Sequence, residues 1–289
     1  MAKILITGIA GGFGKPTALA LLENRHEVAG SVRSREGRNA ETVAELEAAG
    51  AKIVEMDVTD TASTEAGVAE AIALLGGVDV LFNNAGIGSY GIQELMSPED
   101  MTRVFDVNVT GVQRVMRGAL PHMRAQGRGT VLYTSSLIGR ITTPFYGTYS
   151  ASKWALEAVV ECYRTELSGF GIESCIIEPG AMPTAFFDGM VAPSDSEREA
   201  GYGKFAQVPA MSAAGLAQML EATPAQRPER VSEAVVALLD MPHGQKPFRT
   251  VVDHTGVGPE IERYNDVLHD VTRTVLTNFG IERMLDLNA

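Results

Sequence analysis

The chain has 289 residues, 45% of them hydrophobic and 21% charged, which is enough to bury a large core as one domain and excludes a disordered tail as its main feature. A formal net charge of -12 argues against nucleic acid as the principal partner, because neutralising phosphates takes a basic surface. No run of about 18 apolar residues is present, so no membrane-spanning helix is expected, and without a signal-peptide pattern at the N-terminus the expected compartment is the cytoplasm.

Ile4-Leu5-Ile6 reads as a short buried strand. It breaks into Thr7-Gly8-Ile9-Ala10-Gly11-Gly12-Phe13-Gly14, and a helix is predicted from about Pro16 to Glu23. A Gly-rich turn between strand and helix lets the backbone approach a pyrophosphate and aims a helix N-terminus at it, although many such stretches are ordinary turns. Its place in a strand–turn–helix unit at the start of the chain strengthens the first reading. Glu27 to Val32 reads as a second strand, followed by Arg33-Ser34-Arg35. In a dinucleotide fold the adenosine ribose lies here, and an acidic residue binds the 2′-OH of NAD. Val32 and Arg33 stand there instead, with Arg35 and Arg38 close behind. That predicts a 2′-phosphate, hence NADP(H) preferred over NAD(H), unless these are solvated loop arginines.

Asn39 to Ala49 is predicted helical and closed by Gly50, and Lys52 to Met56 is a third strand ending at Asp57-Val58-Thr59. A helix over about Ser63 to Leu75 precedes a fourth strand, Val78 to Phe82, which ends in Asn83-Asn84-Ala85-Gly86. This alternation implies βαβ units in an α/β, doubly wound, mostly parallel seven-stranded Rossmann-like sheet with helices on both faces. Ligands of such sheets bind beyond the carboxyl ends of the strands, where Gly8, Arg33, Asp57 and Asn84 fall.

Ser97-Pro98-Glu99-Asp100 has the residues of a helix start, with a helix running on to about Met123. Asn108 lies inside it, an indifferent helix former that reads equally as a plain polar side chain. The fifth strand, Gly129 to Thr134, ends in Ser135-Ser136. Thr148 to Ser168 holds no Gly or Pro and reads as a long helix, with Tyr149 and Lys153 on one face near its start. A phenol has an unperturbed pKa of about 10, and a neighbouring ammonium lowers it, so such a pair can exchange a proton with an alcohol oxygen. Taken alone, the pair is equally an accident of a solvated face. Cys162 in this helix and Cys175 in an apolar run are expected to be buried free thiols.

Ile172 to Ile177 is a sixth strand ending in Glu178-Pro179-Gly180. From Ala181 to about Arg230 the periodicity weakens, with short helical pieces such as Ala213 to Glu221, as in a lid or substrate loop. Its Met182, Phe186, Phe187, Met190, Tyr202, Phe205, Met211, Leu216 and Met219 suit a hydrophobic ketone or alcohol, or else pack the lid on the body. Ser232 to Met241 is a helix and Phe248 to Val252 a seventh strand. Ile261, Tyr264, Leu268, Val271 and Val275 mark an amphipathic C-terminal helical extension over about 258–280, suited to capping its own subunit or to an oligomer contact. No repeat or linker divides residues 1–289, and the five scattered histidines predict no metal site.

Together these pieces resemble a short-chain dehydrogenase/reductase, well over roughly Lys3 to Thr184 and loosely beyond. The matching motifs are TGxxxGxG at Thr7 to Gly14, Asp57-Val58, NNAG at Asn83 to Gly86, Asn108, Ser136, YxxxK at Tyr149 to Lys153, and PGxxxT at Pro179 to Thr184. The resemblance implies Tyr149 as proton donor or acceptor, with Lys153 lowering its pKa and bonding the nicotinamide ribose. Ser136, favoured over Ser135 by its interval to Tyr149, would hold the substrate oxygen, and Asn108 would support a water-linked proton path. Gly8, Gly12, Phe13 and Gly14 would line the pyrophosphate turn, and Asp57 and Val58 would meet the adenine. Asn84, Ala85 and Gly86 would pass the adenosine side, and Pro179, Gly180 and Thr184 the nicotinamide. Gly11 departs from the pattern, since members often carry Ser or, in NADP users, a basic residue there, so Arg33 must do most of the 2′-phosphate recognition. The implied activity is NADP(H)-dependent interconversion of a hydrophobic small-molecule carbonyl compound and its secondary alcohol, in a homodimer or homotetramer. A hydroxysteroid- or retinol-type dehydrogenase is the alternative within this class, and a non-catalytic NADP(H)-binding sensor or scaffold the alternative outside it.

Overall fold

Short apolar runs bounded by Gly, Pro and Asn give strands, and the longer stretches between them give helices. The computed structural model describes residues 1–287, and of Ser196 only the backbone. The strands are β1 (Lys3–Ile6), β2 (Glu27–Val32), β3 (Lys52–Glu55), β4 (Val80–Asn83), β5 (Gly129–Thr134), β6 (Ile172–Pro179) and β7 (Arg249–Val252). They form one sheet in the order β3-β2-β1-β4-β5-β6-β7, and every pairing is parallel. The order reverses between β1 and β4, which opens a crevice at their carboxyl ends.

The helices are α1 (Gly14–Glu23), α2 (Ala40–Ala48), α3 (Thr61–Leu75), α4 (Pro98–Phe105), α5 (Val112–Gln126), α6 (Gly147–Glu166), α7 (Ser196–Glu199), α8 (Val208–Glu221), α9 (Glu229–Asp240) and α10 (Gly258–Asn278). Both sheet faces are covered, so β5 and β6 are buried at every position. Strand alternation sends Leu5, Leu81, Val131 and Ile176 into one core with α3, α5 and α6. It sends Ile4, Ile6, Phe82, Leu132 and Ile177 into a second core with α1, α2 and α9.

Four sequence expectations change. The helix expected from Ser97 to Met123 is α4 and α5 joined by a π-helical stretch, Asp106–Gly111, centred near Asn108. The segment from 181 to 230 is largely helical, and α8 buries none of its residues, although only Glu221 in it is charged. Cys175 is buried as expected but Cys162 is exposed, because it faces away from the side of α6 that buries Leu156 and Val160. α1 starts at Gly14, two residues before the expected Pro16, because its first turn folds directly out of the Gly-rich stretch. No helix among the described residues is long and apolar enough to cross a membrane.

Candidate active site

The turn after β1 is shaped by close approaches that only glycine permits. Gly8 has φ +65°, and a Cβ there would lie 3.0 Å from Ala85 Cα. A Cβ on Gly14 would lie 2.4 Å from the Gly8 carbonyl oxygen, so the first turn of α1 packs onto the strand end. The N-terminus of α1 has no capping side chain and no acid in its first turn, whereas Asp60 caps α3 and Ser97 caps α4. Uncapped N–H groups beside a glycine cradle are the donor set that a pyrophosphate takes, so the residues present fit a dinucleotide. Gly12 faces the segment after β6: a Cβ there would come within 2.6 Å of Thr184 Cβ.

Asn84 ties three strand ends together. Its side chain donates to the carbonyls of Thr7 (3.1 Å) and Gly8 (3.2 Å) and accepts from Thr134 Oγ1 (3.3 Å). The N–H groups of Asn84 and Ala85 both donate to Thr7 Oγ1 at 3.0 Å. At the end of β3, Asp57 Oδ1 accepts from the Thr59 N–H (2.9 Å) and hydroxyl (2.7 Å). Burial acts to raise the Asp57 carboxyl, but these bonds hold it below its ordinary value. Val58 packs beside Gly111 of the π stretch.

Arg33 is exposed and makes no hydrogen bond or ion pair with the other described residues, whereas Arg35 pairs with Glu47. A cavity of about 460 Å³ opens beside it, lined by Arg33, Thr59, Ile87, Glu99, Thr102, Arg103, Asp106 and Val107. Arg103 thus brings a second guanidinium to this cavity. Nothing in its sequence position on a plain surface helix singles it out.

Asn108, Ser136, Tyr149 and Lys153 converge at the ends of β4 and β5. Asn108 accepts from the Ile87 N–H (2.9 Å) and donates to the Ile87 carbonyl (2.8 Å) and to Ser152 Oγ (3.0 Å). Ser152, which sequence reasoning missed, donates in turn to the Tyr149 carbonyl at 2.7 Å. Ser136 Oγ accepts from the Ile138 N–H and donates to the Pro179 carbonyl at 3.4 Å. A Cβ on Gly86 would lie 3.3 Å from Asn108 Oδ1 and 3.6 Å from Lys153 Nζ. Gly180 sits at the β6 end with its N–H on the Val252 carbonyl at 3.0 Å.

Tyr149 and Lys153 share a face as expected, with Lys153 Nζ 5.7 Å from the Tyr149 ring centroid. The electrostatics differ from the sequence expectation. Burial pushes the Tyr149 phenol well above its ordinary value, against the pull of the Ser136 hydroxyl. The Lys153 ammonium donates to the Thr134 carbonyl at 2.7 Å. Burial also pushes Lys153 down to about 8, while the Glu157 charge acts to raise it.

The segment after β6 brings Phe186 over Tyr149, with ring centroids 5.5 Å apart. Tyr90 packs edge-on to Tyr146 (4.7 Å) and Phe145 (6.0 Å), and Phe145 lies 6.2 Å from Phe205. Phe145 holds φ +72°, a costly conformation for a bulky residue.

With the strand-end crevice, the glycine cradle and the Tyr149–Lys153 pair in place, the comparison with known proteins is decisive. The model of the short chain dehydrogenase family matches residues 2–194. The chain belongs to the short-chain dehydrogenase family.

This short-chain dehydrogenase is 37% identical over 185 residues to a 3-ketodihydrosphingosine reductase of Bacteroides thetaiotaomicron, a match covering 64% of the chain and 65% of the relative. The match thus spans just under two thirds of that relative's length. It is 34% identical over 250 residues to 17-beta-hydroxysteroid dehydrogenase type 1 of Mus musculus, covering 83% of the chain and 70% of the relative. Among solved structures it is similar to a short-chain dehydrogenase from Streptomyces avermitilis (TM-score 0.74, 29% identity, 97% and 96% of the two chains). It is also similar to one from Burkholderia phymatum in complex with NAD (TM-score 0.75, 26% identity, 92% and 94%). An alcohol dehydrogenase from Thermococcus sibiricus complexed with 5-hydroxy-NADP matches too (TM-score 0.68, 26% identity, 86% and 94%). Nicotinamide cofactors of both kinds therefore occur among its structural neighbours.

Proposed function

We propose that this short-chain dehydrogenase is a cytoplasmic, NADP(H)-dependent oxidoreductase of CH–OH groups that interconverts a hydrophobic ketone or aldehyde and the corresponding alcohol. The observation that carries the reading is the convergence of half-buried Ser136 with buried Tyr149 and Lys153 at the ends of β4 and β5, with burial holding the proton on the phenol. A bound nicotinamide supplies or takes the hydride. Tyr149 gives its proton to the substrate oxygen in reduction and takes it back in oxidation. Ser136 Oγ donates to that oxygen as charge develops on it. Lys153 holds positive charge beside the phenol and faces the ribose position, and Asn108 keeps the Ile87 backbone and Ser152 aligned around the proton path.

Gly8, Gly12, Phe13 and Gly14 would hold the pyrophosphate at the uncapped start of α1. Asp57 and Val58 would take the adenine, with Asn84, Ala85 and Gly86 alongside the adenosine, and Pro179, Gly180 and Thr184 at the nicotinamide. The unpaired Arg33 supports a 2′-phosphate and hence NADP(H) over NAD(H). The mouse relative and the aromatic wall of Tyr90, Phe145, Tyr146 and Phe205 favour a hydroxysteroid-type substrate as the second reading.

The test is a panel of steroids, retinoids, long-chain keto compounds and aryl ketones, followed by nicotinamide absorbance with NADPH and NADH, for the wild type and Tyr149→Phe. Tyr149→Phe is expected to lose at least 100-fold in kcat, the order of one general acid. Full turnover by this variant would overturn the catalytic assignment. Tight NADPH binding with no carbonyl compound ever reduced would favour a non-catalytic sensor. Sedimentation velocity tests assembly as a homodimer or homotetramer.

A further inference from the structure

Glu157 lies one helical turn beyond Lys153 on α6 and is wholly buried. Its Oε1 accepts from Ser135 Oγ at 2.5 Å, and its Oε2 accepts from Arg249 Nε at 3.1 Å and from Arg140. A buried carboxylate is costly unless it is paired, and here three donors meet it, two from the segment after β5 and one from β7. Gly139 leaves the room for this: a Cβ there would fall 2.6 Å from Ser135 Oγ, 2.7 Å from Glu157 Oε1 and 3.4 Å from Lys153 Cβ.

We propose that Glu157 is a positioning residue for the reaction, pinning the Ser135–Ser136 segment that follows β5 one helical turn from Lys153. The proposal rests on the catalytic reading of Ser136, Tyr149 and Lys153 given above. Ser135 precedes Ser136, so a bond from its hydroxyl to a rigid helix fixes where the Ser136 hydroxyl stands. The carboxylate also opposes the loss of the Lys153 proton that burial promotes.

The groups facing Glu157 are Lys153 on its own helix, Arg140 after β5, Glu178 on β6 and Arg249 on β7. Arg249 also holds Glu161, with Arg164 beside it, and Asn265 of α10 donates to Glu178 Oε2 at 2.6 Å. Burial, and then the Glu157 charge, push the Glu178 carboxyl upward.

Glu157→Gln keeps an oxygen for Ser135 but removes the charge. In the reduction direction kcat/KM falls as pH rises and Lys153 loses its charge. With Glu157→Gln this fall is expected about one pH unit lower. Ser135→Ala keeps the charge and loses the tether, and its kcat is expected to drop roughly tenfold with an unmoved pH profile. A Glu157→Gln profile that superimposes on the wild type, or a wild-type kcat for Ser135→Ala, overturns the proposal. If Glu157→Gln fails to fold by circular dichroism, Ser135→Ala decides. Tyr149→Phe in the same assay separates the two readings: full turnover there defeats the catalytic assignment, whereas an inactive Tyr149→Phe beside an unaltered Glu157→Gln defeats only the role of Glu157.

Discussion

The Phe186 ring stands 5.5 Å from the Tyr149 ring, centroid to centroid, and its Cζ lies 2.7 Å from where a Cβ on Gly88 would be. A side chain from the segment after β6 therefore forms one wall of the space in front of the phenol. Phe186→Ala is expected to raise KM for a hydrophobic ketone about tenfold through lost apolar contact. It should also move the pH dependence of kcat toward the ordinary phenol value, because burial is what raises Tyr149. Steady-state kinetics over pH check both, and an unchanged KM would show that substrate does not touch this wall.

Gly12 and Gly14 fail differently when a methyl is added. Gly14→Ala drives Cβ to 2.4 Å from a backbone oxygen, and a loss of about 3 kcal/mol is expected, read as a Tm lower by roughly 10 °C. Gly12→Ala meets the Thr184 side chain after β6, so Tm should barely move while the Kd for NADPH rises at least about tenfold. Thermal melts and quenching of cofactor fluorescence measure the two effects separately.

Arg33 and Arg103 line one cavity, and each is expected to discriminate between cofactors. Arg33→Ala should weaken NADPH binding by roughly 10- to 100-fold and leave NADH binding nearly unchanged, the scale of a charge-assisted hydrogen bond. Arg103→Ala should show the same selectivity with a smaller loss. Titration calorimetry with both cofactors decides, and equal losses for NADPH and NADH would remove the 2′-phosphate role.

Lys153 ties stability to pH. Burial pushes it down to about 8, below the ordinary lysine value of 10.5, so between those values the unfolded chain binds the extra proton. Stability from this group therefore rises with pH across that window. Relative to Lys153→Met, the wild type is expected to gain up to about 3 kcal/mol from pH 8 to 10.5. Urea unfolding of both proteins across that range tests the sign, and the subtraction removes the titration of Tyr149 and other shared groups.

Strands and helices were legible because Gly and Pro punctuate them and both sheet faces demand apolar runs, as in Ile4-Leu5-Ile6 and Ile172 to Ile177. The strand-end positions of Gly8, Arg33, Asp57 and Asn84 followed from the parallel sheet alone. The Arg140–Glu157–Glu178–Arg249 cluster was not legible, because it joins four segments far apart in the chain that meet only across β5, β6 and β7. The direction of the Tyr149 shift was missed for a related reason: residue spacing shows which charge is near but not how completely water is excluded. Exposed α8 also escaped notice, since apolar composition by itself argues for burial.

The wide turn at Asp106–Gly111 has a bearing on how this chain tolerates change in length. A π turn holds about one residue more than an α turn, so one residue taken out of Asp106–Gly111 leaves ordinary helix, with Val112, Val115, Met116 and Ala119 still turned to the interior. What is lost is local: the Asn108 amide comes off the Ile87 backbone. A single-codon deletion in this stretch should therefore spare the fold and spoil the site.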